Sequence, residues 1–201
     1  MFIAHRGLVK NGIKENTIEA FVAAINSDKY IGFELDVRTT KDNELVVYHD
    51  LLYKGKLVKK TLYKELKKDN IPKLSDVLKL DTNKIIMIEI KDYNIDLKKL
   101  SLLLNNYNYK NLYVMSFNNK VLKKLKKYVN NIKLGSLNYV FNSEDDYNFI
   151  DFICLINYIL TDDFINYFFQ KNIEVFAYGI KDIKRINFDK VKYIVDEVIF
   201  K

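Results

Sequence analysis

Eight β-like apolar runs alternate with helical patterns along the chain, and this order predicts an α/β fold, a closed (β/α)₈ TIM barrel. Several runs are continuously apolar, as in Ile85-Ile86-Met87-Ile88-Glu89-Ile90, which suits parallel strands covered on both faces. No linker rich in Gly, Pro or Ser divides the sequence, so residues 1–201 are expected to form a single domain. The fold typically takes ~250 residues, so helices or loops must be trimmed here. An open, doubly wound sheet is the structural alternative.

The predicted strands span 2–5, 31–37, 85–90, 112–116, 132–136, 152–156, 173–178 and 192–196. The first helix opens at Asn16-Thr17-Ile18-Glu19, where Asn16 or Thr17 can cap and Phe21, Ala24 and Ile25 share one face. Ser75 can cap a second helix, and further helical stretches cover 96–106, 119–129 and 162–171. One run breaks the alternation. Only residues 38–45 separate the second strand from Val46-Val47-Tyr48-His49, too few for a parallel crossover. Lys41-Asp42-Asn43-Glu44 reads as a turn, so residues 34–49 should form a short β-hairpin that lays His49 roughly opposite Asp36.

Composition excludes several function classes. Apolar residues make up 49% and charged residues 29%, which argues against disorder. The net charge of +7 would suit an anionic partner. Lysine runs such as Lys123-Lys124-Leu125-Lys126-Lys127 lack Arg or aromatic interleaving, so no nucleic-acid partner is expected. Cys154 is the only cysteine and sits in an apolar run, which points to a packed core thiol. No segment is long and apolar enough for stable membrane insertion, and His5 arrives too early for a secretory signal. The expected location is cytoplasmic.

The chemistry concentrates at strand ends. His5-Arg6 close the first run, Glu34 and Asp36 lie late in the second, and Glu89 and Lys91 close the third. In a strand, Glu34 and Asp36 point to the same face. A lone buried histidine is usually a hydrogen-bonded core residue, and a lone charged strand end is usually solvated. Three clustered carboxylates repel one another unless a cation or basic groups intervene. They offer an oxygen site for one divalent cation, Mg²⁺ or Ca²⁺ with Mn²⁺ also accommodated, and no Cys cluster favours zinc. Arg6 and Lys91 supply charge suited to phosphate. Two histidines beside a metal-bound phosphate resemble an acid–base pair for phosphodiester cleavage.

The ordered motifs Ala4-His5-Arg6-Gly7, Glu15-Asn16-Thr17, Phe33-Glu34-Leu35-Asp36-Val37, Thr40-Lys41-Asp42, Val46-Val47-Tyr48-His49-Asp50, Ile71 to Leu78, Ile88-Glu89-Ile90-Lys91 and Met115-Ser116-Phe117 resemble the glycerophosphodiester phosphodiesterases. The resemblance is dense to about residue 118 and thin afterwards. It implies a barrel that hydrolyses glycerophosphodiesters to sn-glycerol 3-phosphate and an alcohol. His5 and His49 would be the acid–base pair, Glu34, Asp36 and Glu89 the metal ligands, and Arg6 and Lys91 the phosphate contacts. Glu15 would line the same site or serve its helix as a first-turn carboxylate.

The last third departs from the family pattern. Tyr178-Gly179-Ile180-Lys181 replaces the usual Trp-Thr-Val-Asn, with Tyr178 placed either to stack on the substrate or in the core. The closing Thr-Asp is expected to be missing, and the Gly-rich loop after His49 shrinks to residues 51–55. Two other readings stay open. One is a non-catalytic glycerol-phosphate binding protein; the other is a related barrel phospholipase or lyase acting on intact lipid. The oligomeric state is left open.

Overall fold

The computed structural model describes residues 1–107, 111–140, 146–182 and 188–197. The chain runs β1 (Phe2–Ala4), α1 (Ile18–Ile25), β2 (Tyr30–Thr39), β3 (Leu45–Val47), β4 (Leu52–Tyr53), β5 (Lys56–Leu57), α2 (Tyr63–Leu66), α3 (Leu74–Val77) and β6 (Ile85–Ile90). It continues α4 (Leu97–Asn105), β7 (Leu112–Ser116), α5 (Asn119–Leu125), β8 (Lys133–Asn138), β9 (Phe152–Ile156), α6 (Asp162–Gln170), β10 (Glu174–Tyr178) and β11 (Lys192–Val195).

Eight of these strands pair in parallel in the order β1-β11-β10-β9-β8-β7-β6-β2, and β1 also pairs with β2. The sheet therefore closes on itself, which removes the open-sheet alternative. All eight predicted strands are present. Economy comes from the helices. The longest, α4 and α6, have nine residues each, against roughly 10–14 in an average globular helix.

Two apolar layers follow from the alternation of side chains along each strand. One lies between strands and helices and holds Phe33, Leu35, Ile86, Val114 and Phe168. The other fills the barrel interior with Ile3, Met87, Tyr113, Phe152, Cys154 and Phe176. Cys154 is fully buried there, as expected of a core thiol. The Phe152 and Phe176 rings meet edge to face at 5.2 Å.

Gly135 makes room for this filling, because a Cβ at that position would run into the Phe152 ring. Gly135→Ala should therefore cost about 1–3 kcal/mol of stability, the usual range for overpacking. Urea unfolding measures this, and an unchanged midpoint would contradict it.

At the strand N-termini, Glu174 accepts hydrogen bonds from Lys133 and Lys192. The Tyr113 hydroxyl also reaches it at 3.2 Å. Burial would raise the Glu174 carboxyl, but the two lysines outweigh it and hold the group below its ordinary value. A carboxylate lowered in this way contributes stability above its unfolded pKa, and loses it as pH falls through the folded one. Glu174→Gln should thus lower the melting temperature at neutral pH and flatten its fall in acid. Parallel acid melts of the two proteins would contradict this.

The excursion after β2 is a hairpin, as predicted. β3 pairs antiparallel with β2 through Val37↔Val47, Arg38↔Val46 and Thr39↔Leu45. That register puts Tyr48, not His49, across from Asp36: the Tyr48 N–H donates to the Asp36 carbonyl at 2.9 Å. β4 and β5 form a separate two-stranded ribbon. Lys54 (φ 48°) and Gly55 (φ 79°) turn it, both left-handed as a tight hairpin requires.

Two capping expectations resolve. Thr17 caps α1, accepting from the Ala20 N–H at 3.2 Å. Ser75 does not cap α3. It lies inside the helix, which starts after Lys73, and the Asp76 carboxylate reaches back to accept the Lys73 N–H. No helix among the described residues is long and apolar enough to cross a membrane.

Candidate active site

The C-terminal ends of β1, β2 and β6 and the end of the hairpin converge on one mouth. His5 leaves β1 with its N–H on the Val195 carbonyl at 3.0 Å. The chain then turns sharply, with Arg6 and Gly7 both left-handed at φ 54° and 83°. Gly7 is required here, because a Cβ would lie 2.7 Å from that of Ala20. The turn aims the Arg6 N–H at Glu34 Oε2, 3.0 Å away.

Register places Asp36 beside Glu89 across the β2–β6 pair. Glu34, Asp36 and Glu89 are all buried, and one oxygen from each lies within 4.8 Å of the others. Lys91 bridges two of them, its Nζ 3.1 Å from Asp36 and 2.6 Å from Glu89. The Arg6 guanidinium sits between Asp36 (3.3 Å) and Glu15 (2.9 Å). Glu34 Oε1 is buried without a hydrogen-bond partner among the described residues. An orphaned buried carboxylate oxygen beside two more carboxylates is the donor set a hard divalent cation takes, so these residues fit one.

The carboxyls are shifted in opposite directions. Burial, reinforced by neighbouring Asp36, pushes Glu34 up to about 8. Burial also raises Glu89, with Lys91 opposing it. Asp36 goes the other way. Burial would lift it, but Lys91, the Asn16 amide and Arg6 together hold it below its ordinary value.

Both histidines reach this site. His5 Nδ1 lies 2.8 Å from Asp196 Oδ1, and its Nε2 is 4.0 Å from Glu34. Burial lowers the imidazole's pKa, but Asp196 and Glu34 more than compensate, and the net shift is upward. His49 Nδ1 lies 2.9 Å from Asp50 Oδ1. His5, Arg6, Glu34, His49, Glu89 and Lys91 line one 200 Å³ cavity. Its opposite wall is apolar and aromatic, including Phe117, Tyr139 and Tyr178. Phe117 stacks on Tyr139 at 4.6 Å, and Tyr139 meets Tyr178 edge-on at 6.2 Å. Tyr178 thus belongs to the cavity wall, with its hydroxyl donating to the Asn138 carbonyl.

Glu15 departs from expectation in its place. It holds Arg6 and lines a neighbouring 490 Å³ cleft rather than the smaller cavity. His49 lines both spaces.

Four polar residues were not singled out from sequence. Asn16, read as a helix cap, donates instead to Asp36 at 2.9 Å and accepts that residue's N–H. Asp196 follows β11 directly. The rule that found Glu89 at a strand end would have found it. Arg38 and Asp92 act on His49 from behind. Arg38 Nε donates to the His49 carbonyl at 2.8 Å while its Nη1 pairs with Asp92 at 2.9 Å.

A closed barrel carrying buried carboxylates, two basic side chains and two imidazoles at its C-terminal mouth defines a (β/α)₈ protein with its candidate site at the catalytic face. The glycerophosphoryl diester phosphodiesterase family model matches residues 5–200, and the chain belongs to that family. A glycerophosphodiester phosphodiesterase of Caldanaerobacter subterraneus is 35% identical over 162 residues, covering 68% of this chain and 66% of that protein. One from Bacillus altitudinis is 40% identical over 111 residues, 44% of each chain. The crystal structure of the Thermotoga maritima glycerophosphodiester phosphodiesterase superposes with a TM-score of 0.76 at 28% identity, covering 99% of this chain and 95% of that one.

Proposed function

We propose that the protein hydrolyses glycerophosphodiesters, the deacylated phospholipids, to sn-glycerol 3-phosphate and an alcohol. The observation that carries this reading is the shared cavity: two imidazoles face the same space as a buried carboxylate cluster and two cations. Family membership supports the substrate class.

Glu34, Asp36 and Glu89 would hold one divalent cation, Mg²⁺ or Ca²⁺. Such an ion, when bound, polarises a phosphoryl oxygen and offsets charge that grows during attack. Arg6 and Lys91 orient the phosphate by hydrogen bonding from fixed positions. One histidine takes the proton from the attacking oxygen, while the other gives a proton to the alcohol oxygen as the P–O bond breaks. Asp196 and Asp50 hold the two rings through Nδ1 and leave each Nε2 for the reacting oxygens. The aromatic wall of Phe117, Tyr139 and Tyr178 would take the apolar face of the glycerol unit.

Glycerophosphocholine and glycerophosphoethanolamine should be turned over with divalent cation and not after chelation. Binding of sn-glycerol 3-phosphate without turnover under any cation would overturn the reading in favour of a binding protein. Arg38 should act as a positioning residue. Arg38→Met frees the His49 backbone and should lower kcat by up to about 100-fold, the cost of a small displacement of a reacting group, with KM little changed. Equal losses in kcat and in thermal stability across Arg38 variants would argue for a merely structural role.

A further inference from the structure

Seven of the twelve exposed large apolar side chains among the described residues lie on the catalytic side of the barrel. Val9 is in the loop after β1, Tyr93 follows β6, Tyr139 and Val140 follow β8, and Tyr158 follows β9. Leu51 and Leu52 are the other two, exposed by 55% and 48%, two and three residues past His49. The loops at one end of a (β/α)₈ barrel share a face, so these side chains rim the site mouth.

The charge has a matching bias. Residues 50–70, the segment after His49, carry seven lysines against three acids, a net +4 out of +7 for the whole chain. Lys54 is paired with Asp69 and Lys56 reaches Glu65. Lys59, Lys60, Lys64, Lys67 and Lys68 are exposed and make no ion pair among the described residues. Apolar side chains next to unpaired lysines match the chemistry of an anionic lipid interface. Leucine and tyrosine enter the headgroup–acyl boundary, and lysines meet the negative surface. Nucleic acid would use the lysines and leave the leucines in water.

We propose that the catalytic face is a docking surface for an anionic lipid bilayer, with Leu51 and Leu52 as its apolar contact and the 50–70 segment as its basic one. Docking there is peripheral. It sets the mouth of the 490 Å³ cleft, which Tyr53, Lys54 and Asp69 help to line, beside the lipid headgroups. The proposal stands on surface geometry and does not depend on which phosphodiester is cleaved.

The test is co-sedimentation of the full chain with vesicles of phosphatidylcholine alone or mixed with phosphatidylglycerol. Binding should require phosphatidylglycerol and weaken with salt. Leu51→Ser/Leu52→Ser should lower the partition coefficient at least about tenfold, with melting temperature and turnover of soluble glycerophosphocholine unchanged. Lys59→Gln/Lys60→Gln should weaken it about fivefold per charge. Absence of co-sedimentation would overturn the proposal. So would vesicle binding that ignores the leucine change, or equally tight binding of duplex DNA by the wild type and the leucine variant. Vesicle binding is read without turnover, so this outcome is separate from that of the activity assay.

Discussion

His5→Ala and His49→Ala should each lower kcat for glycerophosphocholine by about 100- to 10,000-fold, the usual worth of a positioned acid or base. The two losses should differ in kind. Removing the residue that protonates the leaving oxygen hurts most with a poor leaving group such as choline, and least with p-nitrophenolate, which departs without a proton. Removing the base should be equally costly with either. The pair of substrates therefore assigns the roles that geometry leaves symmetric, since each ring has a carboxylate on Nδ1 and faces the same cavity. Wild-type turnover in both variants would end the acid–base scheme. ¹⁸O-labelled water and a search for a cyclic phosphate would then separate direct attack by water from a first step in which a glycerol hydroxyl attacks.

Asp196 adds a second readout to the same experiment. Its carboxylate sits on His5 Nδ1 and helps to raise that imidazole's pKa. In Asp196→Asn the His5 limb of the pH–rate profile should move to lower pH. A His5 limb that stays in place in Asp196→Asn would mean that Asp196 does not set the imidazole's proton affinity.

The barrel was legible because its strands are buried on both sides. Runs such as Ile85–Ile90 and Phe152–Ile156 carry little polar interruption, and the buried carboxylates inside β2 and β6, Glu34, Asp36 and Glu89, make up the candidate site. A charge inside a parallel strand has a high desolvation cost, so its presence there marks function more clearly than any surface charge does. The hairpin was legible from the shortness of its connection. Its register was off by one residue, because spacing alone does not fix how many residues of the 40–44 turn remain unpaired.

What escaped was either non-local or locally satisfied. Asn16 obeys a helix-capping pattern so well that nothing in its neighbourhood points to Asp36, twenty residues on. Asp196 is 191 residues from the histidine it holds. Ser75 has a capping side chain in a plausible place, yet the helix already begins at Leu74, and the Val77 and Leu78 N–H groups that a Ser75 cap would take bond to the Lys73 and Leu74 carbonyls. Tyr139 and Phe117 become a wall only when β7 and β8 are side by side.

Cation binding should be tightly linked to pH. In the cation-free protein Glu34 is pushed up to about 8 by burial and by Asp36, well above its ordinary 4.5. Between those values the folded chain binds a proton that the unfolded chain does not. The stability of the cation-free protein should therefore fall as pH rises through that window. A cation that displaces the proton reverses the sign, because it binds the folded chain and supplies the charge that offsets an ionised Glu34. Affinity for Ca²⁺ or Mg²⁺ should rise about tenfold per pH unit from pH 6 towards 8 and level off above it. Calorimetry in buffers of different ionisation enthalpy should record about one proton released per cation at neutral pH. At 100 times the dissociation constant the added stability is ~2.7 kcal/mol, seen as a rise in melting temperature that a chelator reverses. Glu34→Gln should abolish the proton release and most of the affinity, since the amide keeps an oxygen but loses the charge. Lys91 and Arg6 now rest on the same carboxylates, so the cation must displace or share them. Lys91→Met should then tighten cation binding while weakening the hold on phosphate, a split that a purely structural lysine would not produce. Cation affinity that stays flat from pH 6 to 8 would contradict the raised Glu34 carboxyl, and a melting temperature indifferent to both cations would remove the metal site and with it the proposed chemistry.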